Sequence, residues 1–431
     1  MKIFTDSVLK SRRLRLEKAM NSHLEAQDWV FIFSGEPIQK PGGLDQTYPF
    51  IPHPEYLWLS GLYRPQGLLA YNKDLGWKDF VLPLTPEERL WEGGGEEFAG
   101  EDIQSFNGWF EKQKCKRLFL YGQPSPAQKT WATHVDPTTH LNFQEVINSV
   151  RRQKDEAEIQ LIQKAAQMAH QGYQKLQSFI RPGVSEREIQ IEFESTVMKA
   201  GSEKFPYTSI VGSGPRSAVL HALPTDRKLQ PGEMVLIDAG ADLFDYCVDI
   251  TRVFPASGKF SSQQKEIYDL VFQAQKTSIS LCTMGREWHD VHRASAEIIA
   301  NGLKELKILK GETDSLLESG AISVFFPHGV GHMVGLKVRD VGANPLKPPR
   351  MSCGVRVRVD FPLQENFVMT VEPGLYFVDA LLERKETRQK FSQMIDWNEV
   401  EKWRGFGGIR LEDDILITSQ GPENLTGFIE K

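Results

Sequence analysis

Four acidic residues stand inside runs that a protein interior ordinarily reserves for apolar side chains. Met234-Val-Leu-Ile-Asp238-Ala-Gly240 places a carboxylate at the end of one such run, and Tyr246-Cys-Val-Asp249-Ile-Thr-Arg252-Val-Phe254 repeats the pattern eleven residues later. Val368-Met-Thr-Val-Glu372-Pro-Gly-Leu-Tyr376 and Gly408-Ile-Arg-Leu-Glu412-Asp-Asp-Ile-Leu-Ile417 each embed a Glu in the same manner. A turn over Ala241–Asp245 is expected to pair the first two segments as a hairpin, with Asp238 and Asp249 side by side. Two ionised carboxylates in contact repel strongly where the dielectric is low, so such a pair shares a proton, meets a cation or binds a metal. One acid in a strand commonly faces solvent or an Arg. Four in one β-rich half outrun that reading, because burying them takes more than one positive charge, and divalent ions supply it compactly.

Histidine adds the missing donor. In Phe325-Phe-Pro-His328-Gly-Val-Gly-His332-Met-Val-Gly335 two imidazoles lie four apart among glycines, which argues for a crowded backbone rather than a rigid helix. A site rich in oxygen with one nitrogen suits manganese, cobalt or zinc rather than copper. Ions of that kind activate water and polarise carbonyl groups, so the expected chemistry is hydrolysis.

These residues need strands to carry them and helices to cover the strands. The first 120 residues alternate helical and strand-like pieces: Trp29–Ser34, Gly67–Tyr71, Asp79–Leu84 and Arg117–Tyr121 are short, apolar and turn-bounded, with a loop over Gly122–Ala127. From about Val150 to Ile180 apolar residues recur at helical spacing, which predicts one long amphipathic helix ended by Arg181-Pro182-Gly183. Ser185, with Glu188 three residues on, is a capping-box start for a second helix. Further helices are expected over about Ser262–Met284 and Trp288–Leu306, and strands from Phe325 onward. The fold class is therefore α/β (α+β), with a small mixed α/β domain over 1–149 and a larger catalytic domain over 150–431.

Bulk properties exclude other classes. The formal charge is −6, with 51 basic and 57 acidic residues, and gives no basic face for nucleic acid. No apolar run is long enough to span a membrane, and the N-terminal residues lack a secretory apolar core, so a cytoplasmic location is expected. Four scattered cysteines give neither a disulfide framework nor a zinc knuckle. His289 and His292, three apart on a helix, are expected in surface or capping roles rather than as ligands.

The ordered contexts LIDAG, VDITRVFP, HGVGH, TVEPGLYF and GGIRLEDD around Asp238, Asp249, His332, Glu372 and Glu412 resemble the metallopeptidase family of prolidases (Xaa-Pro dipeptidases) and Xaa-Pro aminopeptidases. The motifs run from about Phe205 to Thr426. The resemblance implies a pita-bread (creatinase/aminopeptidase-like) catalytic domain holding two divalent ions, manganese foremost, with cobalt or zinc as substitutes. Asp238 would chelate one ion, Asp249 and Glu412 would bridge both, and His332 and Glu372 would complete the other, with Glu372 exchanging protons with water. It also implies catalytic and substrate-binding roles for His221 and His328, substrate contacts from Tyr207, a supporting Arg410 at the substrate, and a homodimer. Arg358, fourteen residues before Glu372, matches the prolidase arginine that holds a dipeptide's free carboxylate, so the implied activity is hydrolysis of Xaa-Pro dipeptides. An Xaa-Pro aminopeptidase acting on longer peptides is the alternative. A non-catalytic peptide-binding module on the same fold is disfavoured by the presence of all five ligands. One departure stands out: Arg339 occupies a position where the family usually has a substrate-contacting His, and a guanidinium cannot shuttle a proton near neutrality.

Overall fold

The apolar runs of the N-terminal third become strands because they carry aromatic and branched residues between turn formers. A computed structural model describes residues 3–93, 99–131 and 135–431 and divides into two units, Met1–Arg151 and Arg152–Lys431. In the first unit a five-stranded mixed sheet has the order Glu101–Asp102, Gly76–Val81, Leu68–Asn72, Asp28–Phe33, Arg117–Gly122. Its core is aromatic, built from Trp29, Phe31, Phe33, Phe80 and Phe106. The strand expected over Asp79–Leu84 instead ends at Val81, just short of Pro83, which has no N–H to give a ladder.

In the second unit the same sequence of elements occurs twice. Helices Glu156–Phe179 and Glu186–Lys199 precede an antiparallel sheet of Ile210–Ser213, Met234–Asp238 and Thr251–Pro255. Helices Ser262–Ser280 and Trp288–Glu305 precede a second antiparallel sheet of Val368–Val371, Asp413–Thr418 and Gly421–Asn424. The single helix expected from 150 to 180 is two, Pro137–Arg152 and Glu156–Phe179. The break has a local cause: the Asp155 side chain accepts from the Glu158 N–H while Glu158 returns to the Asp155 N–H. That capping box starts a new helix at a point where continuous periodicity hides a boundary. The capping box read at Ser185 and Glu188 is present, and its helix starts at Glu186.

Helix Glu156–Phe179 lays Leu161, Ile162, Ala165, Ala169, Tyr173 and Leu176 toward the interior, a stripe at three- and four-residue spacing. From that stripe the buried Tyr173 hydroxyl donates 2.7 Å to the Ile250 carbonyl and lies 3.1 Å from that of Ala239. It therefore ties the helix to the backbone immediately after each of the two acidic residues, Asp238 and Asp249. The two sheets are joined where Thr251 meets Glu412 in an isolated bridge, the Glu412 N–H donating to the Thr251 carbonyl at 3.2 Å. No helix among the described residues is long and apolar enough to cross a membrane.

Candidate metal centre

Asp238 is the last residue of its strand and pairs in register with Thr251 of the neighbouring strand. The expected hairpin is present, with a small ribbon of Asp242–Leu243 and Tyr246–Cys247 at its tip. Asp249, Glu372 and Glu412, however, are not within strands; each lies at a break, just before Thr251–Pro255, just after Val368–Val371 and just before Asp413–Thr418. A regular strand would send neighbouring side chains to alternate faces, whereas a break lets the backbone turn each carboxylate into a shared space. Close backbone approach makes room for it. A Cβ at Gly331 would lie 2.1 Å from the Thr370 carbonyl oxygen, and one at Gly240 would lie 1.9 Å from that of Val248.

One cavity gathers Asp238, Asp249, His332, Glu372 and Glu412 together with His221, His328, Arg339, Arg358 and Arg410. Ligand atoms of Asp249, His332 and Glu412 all fall within 4.8 Å of one another. His332 Nε2 lies 3.5 Å from Asp249 Oδ2 and 3.8 Å from Glu372 Oε1. Its Nδ1 faces the Met333 carbonyl at 3.0 Å, which fixes the tautomer and leaves the Nε2 lone pair for the cavity. Asp238, Asp249, His332 and Glu412 are buried, and Glu372 is half-buried.

A second ring of side chains orients the first. Tyr207 donates 2.5 Å to Asp249 Oδ1, and the Thr251 hydroxyl donates 2.7 Å to Glu412 Oε2. Arg410 reaches three ways: 2.6 Å to Asp238 Oδ2, 3.1 Å to Thr251 Oγ1 and 3.0 Å to the Tyr376 hydroxyl. Tyr376 sits 2.9 Å from His328 Nε2, and His328 Nδ1 lies 2.9 Å from the Gly329 carbonyl, so both nitrogens of this imidazole are engaged. His292 is not at the surface as expected but buried in helix Trp288–Glu305, because its apolar neighbours cover it, and its Nδ1 accepts from the Val330 N–H, holding the loop that carries His332. Thr251, Tyr376 and His292 thus position the cavity, although their types gave no signal alone; only their nearness to motif residues could have flagged the first two.

Charge decides what the cavity can hold. Burial pushes Asp238 up to about 7 despite Arg410, and burial with three neighbouring carboxylates raises Glu412 well above its ordinary range. Burial also raises Glu372, against His332 and Arg410. Burial would raise Asp249 too, but hydrogen bonding and attraction to His332 bring it below the usual value. Burial would likewise lower His332, yet Asp249 and Glu372 lift it. Burial and Arg410 push His328 down to about 3, keeping that ring neutral. In the metal-free protein the four carboxylates therefore cannot all be ionised. Asp238 Oδ1 is buried without any hydrogen-bond partner, an oxygen aimed at something other than protein. Four carboxylates, one oriented imidazole and an orphaned oxygen fit divalent cations.

Because Asp238 holds its proton below about pH 7, a cation entering the cavity has to displace it. Affinity is expected to rise with pH through that value, on the order of tenfold per pH unit for each proton released, and to level off above it. Manganese titration calorimetry in two buffers of different ionisation enthalpy reads the release directly. Identical heats in the two buffers at pH 6.5 would sink this account.

The sequence matches the family model "Metallopeptidase family M24" over residues 160–419. It is 31% identical over 420 residues to a probable Xaa-Pro aminopeptidase of Sclerotinia sclerotiorum, covering 95% of this chain and 75% of that one. A probable Xaa-Pro aminopeptidase of Aspergillus fumigatus is 31% identical over 438 residues, covering 97% and 94%. The structure superimposes on aminopeptidase P of E. coli with the inhibitor Pro-Leu at a TM-score of 0.81 and 25% identity, over 99% of this chain and 96% of that one. A zinc-substituted form of the E. coli enzyme in complex with product gives 0.80 at 26% identity. The mixed α/β architecture is the pita-bread fold of these proteins, preceded by an N-terminal domain.

Proposed function

This chain belongs to metallopeptidase family M24, and from that membership we propose that it is an Xaa-Pro aminopeptidase, releasing the first residue of peptides whose second residue is proline. What carries the reading is the convergence of Asp238, Asp249, His332, Glu372 and Glu412 on one cavity, in a chain whose relatives bear the aminopeptidase name. Those five residues would hold two divalent ions, which when bound supply an activated water and a polarised carbonyl. Glu372 is the ligand best placed to carry a proton, since burial holds its carboxyl above the ordinary range and its side chain stays partly open to the cavity. His221 lies exposed at the cavity and His328 is fixed by Tyr376, so the first can follow the substrate while the second defines a wall. Arg339 donates hydrogen bonds to substrate oxygens but exchanges no proton.

The dipeptidase reading comes second. Its support is Arg358, which lines the cavity with an exposed side chain and can pair with a carboxylate. Turnover by manganese-loaded protein separates the two. An Xaa-Pro-Yaa tripeptide is expected to be cleaved faster than the Xaa-Pro dipeptide. A faster dipeptide reaction that disappears in Arg358→Ala would overturn the aminopeptidase reading in favour of the dipeptidase.

A further inference from the structure

Next to the metal-binding cavity lies a second one of about 400 Å³ that shares His328, His332, Arg339 and Arg358 with it and continues outward to Arg356 and Ala343. Three guanidiniums therefore face one space. Arg356 and Arg358 stand two apart in a stretch where burial alternates residue by residue, so both project from the same side. Arg339 comes from the bend that follows His332.

The carboxylates of the adjoining cavity attract them, but none pairs with them. Among the described residues none of the three guanidiniums makes a hydrogen bond or an ion pair. Asp340 lines the same cavity, but its Oδ2 lies 2.7 Å from Lys154 Nζ in a buried pair. Asp360 pairs with Arg350 at 3.1 Å. Partial burial and then the positive charge of Arg339 lower the pKa of Arg358, with Glu372 opposing and Arg356 adding to the fall. Burial and the charges of Arg339, Arg410 and Arg358 likewise lower that of His221. Like charges held this close repel one another until an anion joins them.

We propose that this cavity is a subsite for a carboxylate carried by the residue after the proline, held by Arg339, Arg356 and Arg358. The proposal rests on the Xaa-Pro peptidase reading and adds a substrate class to it. Direction follows from charge: a peptide's N-terminal ammonium is repelled by three guanidiniums, so the leaving portion of the peptide occupies this side. Depth follows from lining, because Arg356 borders only the outer cavity and so meets a group farther from the carboxylate cluster than Arg358 does. Planar guanidiniums bind carboxylates in forked pairs, and two or three acting together discriminate an acid from its neutral amide. The carboxylate has two sources, the C-terminus of a tripeptide or an Asp or Glu side chain in a longer one.

Prolyl dipeptides, which stand for the leaving portion, test the subsite by equilibrium binding without relying on turnover. Calorimetry on manganese-loaded protein compares prolyl-leucine with prolyl-leucinamide for the C-terminal source, and prolyl-aspartamide with prolyl-asparaginamide for the side-chain source. At least one acid is expected to bind about tenfold or more tightly than its neutral partner, as charge-assisted pairing of this kind allows. Arg339→Gln and Arg356→Gln, each in an exposed position, are expected to bring acid and neutral ligand to within about twofold of each other. Wild-type affinities alike in both pairs, including no binding of any of the four ligands, overturn the proposal, as does discrimination that survives both substitutions. Cleavage of Xaa-Pro-Yaa without discrimination in binding removes the subsite and leaves the peptidase reading standing. Discrimination without cleavage does the reverse.

Discussion

Glu412→Gln is expected to slow hydrolysis of Xaa-Pro peptides on the order of a thousandfold or more, while the metal-free variant melts above the metal-free wild type. The first half follows from the donor set. Residues that merely orient metal ligands matter by about 10–100-fold, and Glu412 is one of the residues that would itself hold the metal. The second half follows from charge. Burial and the nearby Asp249, Glu372 and Asp238 raise the Glu412 carboxyl well above its unfolded value. An acid raised in the folded state adds nothing below its unfolded pKa of about 4.3; above it the unfolded chain ionises while the fold must keep the proton or bear the repulsion. Stability of the metal-free protein is therefore lost as pH rises through that window, and Gln removes the loss while still accepting from the Thr251 hydroxyl. Scanning calorimetry after chelation at pH 8 and at pH 4.5 checks it. The variant should lead at pH 8 by about 1–2 °C for each kcal/mol recovered, and the gap should close at pH 4.5. Manganese should reverse the order at pH 8. A variant that melts lower than wild type in chelator at pH 8 would show that repulsion among the carboxylates is not the governing effect.

The largest expected effect on the fold belongs to Arg252, a buried guanidinium outside the cavity. It donates 2.7 Å to the Glu412 carbonyl, 3.0 Å to that of Thr251 and 2.8 Å to Asp413 Oδ1. Further bonds reach the carbonyls of Thr426 at 3.3 Å, Ile429 at 3.0 Å and Glu430 at 3.2 Å. Replacing it with Met strands the buried Glu412 and Ile429 carbonyls, while Thr251 keeps the Glu412 N–H, Thr426 keeps the Ile429 N–H and Asp413 keeps Lys431 at 2.5 Å. Breaking a buried charge network by removing one partner is worth about 3–5 kcal/mol, so Arg252→Met should lower the denaturant midpoint sharply. Arg252→Lys should recover a minor part, since an ammonium cannot fork across several carbonyls. A loss below about 1 kcal/mol for the Met variant would mean that water satisfies the abandoned carbonyls.

The candidate ligands were legible because carboxylates in apolar runs violate the usual partition between core and surface, and Asp238 ends its strand as that pattern implies. The same reasoning placed Glu372 and Glu412 within strands, whereas both stand at breaks. Composition does not distinguish the two, because Leu411 and Val371 remain buried on either account. The helix break at Asp155 was hidden for a related reason: its apolar stripe resumes in phase, and only the Asp155–Glu158 exchange of hydrogen bonds shows the restart. Arg252 and Tyr376 act through partners 160 and 34 residues away, distances that local pattern does not reach. The choice between dipeptide and longer substrates rested on the spacing of Arg358 from Glu372. The named relatives shift weight to the aminopeptidase, and the structure shows Arg358 among three arginines rather than alone.

The join between Thr251 and Glu412 spans 161 residues of chain. A ribosome adding about 5–20 residues per second needs roughly 10–30 s to bridge that interval. Through that time Asp238 and Asp249 exist without Glu412 and without Arg410, which holds Asp238 in the finished molecule. A cavity that needs all five residues is thus complete only once the last strands have been made.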